Sequence, residues 1–208
     1  MQEHITSPPA EIRSRPEYYT LRAIPNAQWN LIVAEGQGIE SVLRMLNDAP
    51  RGFTARTHLV YLPAKDNGSS EYLEKLDSYG PVSFNQVATR KEALLRLNRL
   101  LQSAKMGTRL YAVGSETFLG LVVREAENQG INHQSIVTEL NGSKARRVQC
   151  VHCKYITEDV TTSHYSCPRC SELLEVRDHY SRRLAAFQAV TATVETPNQE
   201  PEVEEVYL

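Results

Sequence analysis

The clearest chemistry in the chain lies in its only four cysteines, Cys150, Cys153, Cys167 and Cys170. They form two Cys-x2-Cys pairs with thirteen residues between them. Two such pairs on tight turns, a short hairpin apart, can bring four thiolates onto one tetrahedral cation. Zn²⁺ prefers that sulfur set, and four protein ligands close its shell, which makes the site structural. The second pair reads Cys167-Pro168-Arg169-Cys170, where the proline sets one backbone angle of the turn. A rubredoxin-like iron site uses the same ligand number, and two disulfides would suit an exported protein. The sequence opens with no basic region followed by an apolar stretch, so a cytoplasmic address and bound zinc are the expectation. His152 and His164 lie close to the pairs and are expected beside the metal shell or on the surface. Asp178-His179 has the outline of a catalytic pair, but no nucleophile stands near it in sequence.

The thirteen-residue interval contains Thr161-Thr162-Ser163-His164-Tyr165, which suits the strands of a zinc ribbon. So small a module buries little, and the metal must supply folding energy. Beyond it, Leu184, Phe187 and Val190 recur at three-residue steps. This predicts a short amphipathic helix that caps the ribbon or docks a partner.

Ahead of the ribbon the apolar pattern alternates between two periods. Short runs at Leu31–Ala34, His58–Leu62, Val82–Val87, Arg109–Val113 and Ile136–Val137 read as strands. Between them Ile39–Leu46, Ser69–Tyr79, Lys91–Ala104 and Glu116–Asn128 read as helices, with Ser69-Ser70 as a cap. Repeated strand–helix units predict an α/β fold, a parallel sheet with helices on both faces. Such sheets bind ligands beyond the carboxyl ends of their strands. Two turns there are Ala34-Glu35-Gly36-Gln37-Gly38-Ile39 and Val113-Gly114-Ser115-Glu116. Gly36, Gly38, Gly114 and Ser115 are the candidate cofactor-binding residues. Glu35 and Glu40 place negative charge where a pyrophosphate would approach a helix N-terminus.

Composition bounds the rest. The 208 residues carry 23 Lys+Arg against 25 Asp+Glu, and 41% are hydrophobic, a globular profile. No apolar run approaches the roughly 18–20 residues of a membrane span. Residues 143–190 carry a net charge of +3 and residues 191–208 one of −5. That balance is too weak for a strongly basic nucleic-acid binder. Four segments are expected. They are an N-terminal extension (1–28), the α/β domain (29–142), the ribbon with its amphipathic segment (143–190) and an acidic disordered tail (191–208). The alternative for the tail is a docking peptide ending in Val206-Tyr207-Leu208.

Residues 30–140 resemble the NAD(P)-binding half of ferredoxin-reductase-type flavoenzymes, which carry a Gly-Gly-x-Gly-Ile-x-Pro turn and a Tyr-x-Cys-Gly-Pro-x-x-Phe turn. Here Glu35 replaces a glycine and Ser41 stands at the first proline. Val113 replaces the cysteine and Ser115 the second proline. Only about 28 residues precede the first strand, too few for a flavin barrel. The two Cys pairs, their lead-in Arg146-Arg147-Val148-Gln149-Cys150 and the segment 177–187 resemble a further family. It comprises the small accessory subunits of dimethylamine monooxygenase, also described as heme-dependent oxidative N-demethylase.

That resemblance implies a complex that oxidises secondary methylamines with NADPH. Its partners would be a heme-containing oxygenase subunit, a flavin (FMN) and 2Fe-2S iron–sulfur reductase subunit, and a subunit binding tetrahydrofolate. This chain would be the remaining, zinc-bearing member, non-catalytic and serving assembly or electron-transfer docking. The alternatives are an NAD(P)H-binding reductase component and a nucleic-acid-binding zinc ribbon contacting phosphates through Arg146, Arg147, Lys154, Arg169, Arg182 and Arg183.

Overall fold

The computed structural model describes residues 14–64, 69–81, 83–192 and 203–208. Strands β1 (Trp29–Glu35), β2 (Thr57–Leu62), β3 (Ser83–Gln86), β4 (Thr108–Gly114) and β5 (Ile136–Leu140) form one sheet. Its order is β3-β2-β1-β4-β5, and every pair in it is parallel. Helices α1 (Ile39–Asn47), α2 (Ser69–Ser78), α3 (Arg90–Gln102) and α4 (Glu116–Asn128) connect the strands.

Alternation along the strands decides the layers. Ile32, Ala34, Leu59, Tyr61, Tyr111 and Val113 face α1 and α2, where Ile39, Val42, Met45 and Leu76 are buried. Leu31, Val33, Val60, Leu110 and Ala112 face α3 and α4 and pack on Leu97, Leu101, Phe118 and Val122. The expected helices on both faces are present. Val82 and the side chains of Ser69 and Ser70 lie outside the described residues, as do residues 1–13 of the extension. No helix among the described residues is long and apolar enough to cross a membrane.

Residues 14–24 form an arm along the β5 edge. The Tyr19 N–H donates to the Thr138 carbonyl at 2.7 Å. An edge strand offers unpaired backbone groups, and the arm covers this one. Glu139 on β5 is its anchor. It accepts from the Leu21 N–H at 2.5 Å, the Ser41 hydroxyl at 2.6 Å and the Arg44 guanidinium at 2.7 and 2.8 Å. Burial acts to raise the Glu139 pKa, but the Ser41, Arg44 and Leu21 donors outweigh it and hold the carboxyl below its ordinary value. A depressed carboxylate stabilises the fold above its unfolded pKa, and that contribution is lost as pH falls through the folded value. Glu139→Gln is therefore expected to cost about 1–3 kcal/mol at neutral pH. The arm should open, seen as faster amide exchange at Leu21 and Tyr19. Acidifying the native chain should give the same change.

The remaining strands, β6 (Arg146–Cys150), β7 (Ile156–Val160), β8 (His164–Ser166), β9 (Leu173–Ser181) and β10 (Ala186–Thr191), form a second sheet. Its order is β7-β6-β10-β9-β8. This corrects the helix expected after the ribbon, since residues 173–191 are an antiparallel hairpin. Leu174 and Val176 are buried at two-residue spacing, as are Phe187 and Ala189. Between the strands Ala185 takes a left-handed φ of 50°, and the N–H groups of Leu184 and Ala185 return to Ser181 and Arg182. Leu184 lies in this turn and Phe187 and Val190 lie on one strand, where Phe187 is buried and Val190 only half-buried, so their three-residue spacing marks no helical face. A small core results, of Val148, Val160, Leu174, Val176, Phe187 and Ala189 around Cys150 and Cys167.

The two sheets meet at α4. Thr117 Oγ1 donates to the Ala145 carbonyl at 3.0 Å. A Cβ on Gly120 would lie 2.5 Å from the Tyr180 hydroxyl, so any larger residue there would displace the Tyr180 side chain of β9. The tail also departs from expectation. Residues 193–202 lie outside the described residues, but Thr191 belongs to β10 and residues 203–208 pack against residues 161–163, with a bridge between Glu205 and Thr162. Free main-chain groups at that edge attract a strand despite its acidic side chains.

Candidate metal centre and strand-end crevice

The Cys150 pair begins at the end of β6 and the Cys167 pair just after β8. Both fold alike. The first Cys N–H donates five residues on, Cys150 to Tyr155 at 2.9 Å and Cys167 to Glu172 at 2.9 Å. The residue after each pair donates back, Lys154 to Cys150 at 3.0 Å and Ser171 to Cys167 at 2.9 Å. Lys154 and Ser171 close the two turns with left-handed φ values of 63° and 59°. Each turn thereby aims its sulfurs inward.

The four Sγ atoms lie within 4.8 Å of one another. Cys150 and Cys170 are 3.8 Å apart, and Cys153 and Cys167 are 3.6 Å apart. Four sulfurs at roughly 2.3 Å from a central Zn²⁺ stand roughly 3.8 Å from one another, so the donor set fits that ion. All four thiols are free, far beyond the roughly 2 Å of a disulfide. Burial acts to raise the Cys167 pKa, but the main-chain N–H groups of Arg169 and Cys170 outweigh it and bring the thiol down to about 7. Burial pushes the Cys150 thiol up. His152 is exposed, and the His164 ring meets the Ser163 hydroxyl, so neither enters the cluster. Asp178 and His179 are neighbours on a strand and diverge. Asp178 accepts from Arg146, and His179 is exposed.

The carboxyl ends of β1 and β4 bring Gly36, Gly38, Gly114 and Ser115 together, but the space between them is filled from within. The Glu35 carboxylate accepts from the Ser115 N–H at 3.1 Å and from its hydroxyl. Arg90 at the start of α3 donates to Glu35 at 2.6 Å and to Ser115 Oγ at 3.1 Å. Asp159, on β7 of the second sheet, reaches Arg90 at 3.5 Å. The linker between the sheets crosses the same point, and the Glu116 N–H donates to the Ser143 carbonyl at 3.0 Å. The N–H groups of Ser115, Glu116 and Phe118, at the helix start where a phosphate would bind, are thus engaged. The glycines serve this packing. A Cβ on Gly38 would lie 2.9 Å from Val113, and one on Gly114 would lie 2.8 Å from the Glu35 Cβ.

Sequence reasoning noted the charge of Glu35 but not its partners, since Arg90 and Ser115 are 55 and 80 residues away. Glu35→Ala should cost about 1–3 kcal/mol, chiefly by stranding the Ser115 N–H, since Arg90 keeps Ser115 Oγ and Asp159. Inorganic phosphate should then raise the thermal midpoint of the variant and leave that of the native chain unchanged.

Arg146, a candidate phosphate contact in the sequence, is instead a buried cation. Its side chain is 1% exposed. The guanidinium lies 3.9 Å from the centre of the Phe187 ring and 3.8 Å from that of Tyr207. It donates to Asp178 at 2.7 Å and stands 3.8 Å from Glu116. Arg147 is bound to Glu158 at 2.7 Å. Two of the six cations of the nucleic-acid reading are thus committed inside the chain.

The family model for the N-terminal domain of dimethylamine monooxygenase subunit DmmA-like proteins matches residues 10–136. The corresponding C-terminal domain model matches residues 147–190. The heme-dependent oxidative N-demethylase delta subunit of Ectopseudomonas mendocina (strain ymp) is 28% identical over 186 residues, covering 89% of this chain and 92% of that protein. Among solved structures, phthalate dioxygenase reductase aligns over 70% of this chain and 47% of its own, with a TM-score of 0.47 and 16% identity. An intact type IV self-sufficient cytochrome P450 monooxygenase aligns over 81% of this chain and 28% of its own, with a TM-score of 0.46 and 15% identity. This chain spans less than half the length of either.

Proposed function

The chain belongs to the dimethylamine monooxygenase subunit DmmA-like family, and from that premise we propose that it is a non-catalytic accessory subunit of a heme-dependent oxidative N-demethylase. In this reading it supports assembly or electron-transfer docking within an NADPH-driven complex that acts on secondary methylamines. Heme, FMN, the 2Fe-2S cluster and tetrahydrofolate belong to the oxygenase, reductase and folate-binding partners. Its own metal is a structural Zn²⁺ held by Cys150, Cys153, Cys167 and Cys170. The observation that carries the reading is the Glu35–Arg90–Ser115 cluster. It fills the crevice where a reductase-like fold would take its nucleotide, with a carboxylate where the phosphate would sit. Four cysteines whose sulfurs surround one point support the metal assignment. Four thiolates complete a zinc shell and leave no position for substrate.

In this role the residues act by holding surfaces. The cluster, the linker carbonyl of Ser143 and the Arg146 stack lock the ribbon against the α/β sheet, so a partner meets both as one surface. The bound ion fixes the two cysteine turns and takes no part in turnover.

The decisive experiment is affinity purification of the chain from its native host grown on a methylated amine. Heme and flavin subunits should co-purify, and the isolated chain should oxidise no amine. Recovery of a colourless solitary protein would reject the reading. Saturable NADPH binding by the native chain would favour the reductase component instead. Trp29 is a poor reporter for that titration. It packs edge-on against His58 at the amino end of β1, a full strand length from the crevice. Ligand-observed NMR is the better readout.

A further inference from the structure

Residues 203–208 return to the second sheet from outside it. Beside residues 161–163 their main chain runs antiparallel. The Ser163 N–H donates to the Glu204 carbonyl at 2.8 Å, and the N–H groups of Val206 and Tyr207 both donate to the Thr161 carbonyl, at 2.9 and 2.8 Å. The Lys144 N–H donates to the Leu208 main-chain oxygen at 3.0 Å. This strap buries little. Val203, Val206 and Leu208 are 59%, 47% and 71% exposed, and Glu204 and Glu205 are also exposed. Tyr207 alone turns inward, to cover one face of Arg146 opposite Phe187.

What lies beneath the strap is more definite than the strap itself. It is a short main-chain edge at Thr161 and Ser163 next to a cation backed by a buried aromatic ring. Arg146 Nε and Nη1 have no hydrogen-bond partner among the described residues. An edge that accepts a strand reads main chain, and the neighbouring pocket reads one side chain, as in strand-addition recognition of peptides. A π-face is what the guanidinium selects. The cis occupant shows the matching chemistry: an extended acidic segment with one tyrosine. Elements held by edge hydrogen bonds with little apolar burial belong to the low-stability end of a fold.

We propose that this slot is a peptide-binding site closed in cis by residues 203–208, and that an extended, acidic, aromatic-bearing segment of a partner chain displaces the strap and takes its place. The proposal stands on the second sheet alone. It is tested on the purified chain, so its failure and that of the accessory-subunit reading are separate events.

The probe is a synthetic peptide with the sequence of residues 201–208, titrated into the full-length, metal-loaded, ¹⁵N-labelled chain. In the native chain the tethered strap competes at an effective concentration of roughly millimolar. The Tyr207→Ala chain lacks the ring that fills the slot. The peptide should bind that variant at least about tenfold tighter than it binds the native chain, because the cis competitor is weakened. The Ser163 and Lys144 amides and the Arg146 Nε–H should shift on binding. A Tyr207→Phe chain should behave as native, and a peptide carrying the same Tyr207→Ala change should lose the gain. Equal affinity for the native and Tyr207→Ala chains, or no saturable binding to the variant, would overturn the proposal. Tyr207 borders the core of the second sheet without belonging to its buried set, so retained metal and native amide protection of β6, β9 and β10 are the control for the Tyr207→Ala chain.

Discussion

Replacing Cys150 by serine is expected to release the metal and melt the second sheet while the first stays folded. Structural zinc in small modules contributes about 10–16 kcal/mol of apparent binding free energy, nearly all of it folding free energy. Whole domains are stable by only about 5–15 kcal/mol. The core of the second sheet holds only Val148, Val160, Leu174, Val176, Phe187 and Ala189 besides the cysteines. It cannot offset the loss of the ion. Cys150 ends β6, and the next N–H, that of Val151, donates to Ala189 on β10 at 3.0 Å, so loosening this turn unzips the centre of the sheet. The first sheet has two apolar layers of its own and needs no metal. Metal content and amide exchange check the expectation. Loss of metal should accompany deprotection of β6, β9 and β10, with β1 and β4 unchanged. A variant that keeps one metal per chain and native protection would refute the four-cysteine site.

Arg146→Ala is expected to cost about 3–5 kcal/mol, the penalty for removing one partner from a buried ion pair. Two carboxylates lose their cation. Asp178 is partly exposed and water can compensate it, but Glu116 is 6% exposed. Burial raises the Glu116 pKa, and Arg146 is the main group opposing that rise, with a hydrogen bond from Tyr18 behind it. Without Arg146 the carboxyl is pushed higher still. A carboxyl with a raised folded pKa favours the folded state at low pH, and that advantage is lost as pH rises through the folded value. The variant should therefore lose stability relative to native as pH rises from the ordinary carboxyl range through the raised Glu116 value. Denaturant unfolding over that range reads the slope. Adding Glu116→Gln to the variant should flatten the slope and recover part of the loss, because it removes the uncompensated charge. A pH-independent loss would instead assign the effect to the emptied space between Phe187 and Tyr207.

Most of the α/β sheet was legible because each element carries its own period. Glu116–Asn128 matches α4 at both ends, and the other described strands and helices fall within a few residues of their expected bounds. The metal cluster was equally legible. Cysteines three positions apart on a tight turn stay close to one another, and a thirteen-residue hairpin brings the second pair back. The segment 173–191 was misread because a turn at 182–185 interrupts it. Leu184 in that turn and Phe187 and Val190 on β10 recur at three-residue steps, and that spacing mimics a helical face. Residues 203–208 have the composition of a solvated chain, while their packing depends on residues 161–163, about 40 residues earlier.

The sequence by itself therefore determined the α/β class and the four-cysteine site, because local periodicity and short loops encode both. Only the tertiary structure decided what occupies the strand-end crevice, that Arg146 is sealed between Phe187 and Tyr207, and that residues 203–208 close over it. Glu35, Arg90 and Ser115 meet through β1, α3 and α4, and Arg146, Phe187 and Tyr207 through β6, β10 and the strap. No periodicity links such positions. Their chemistry exists only after the sheets have packed, because burial is what turns a carboxylate or a guanidinium from a solvated charge into a demand for a partner.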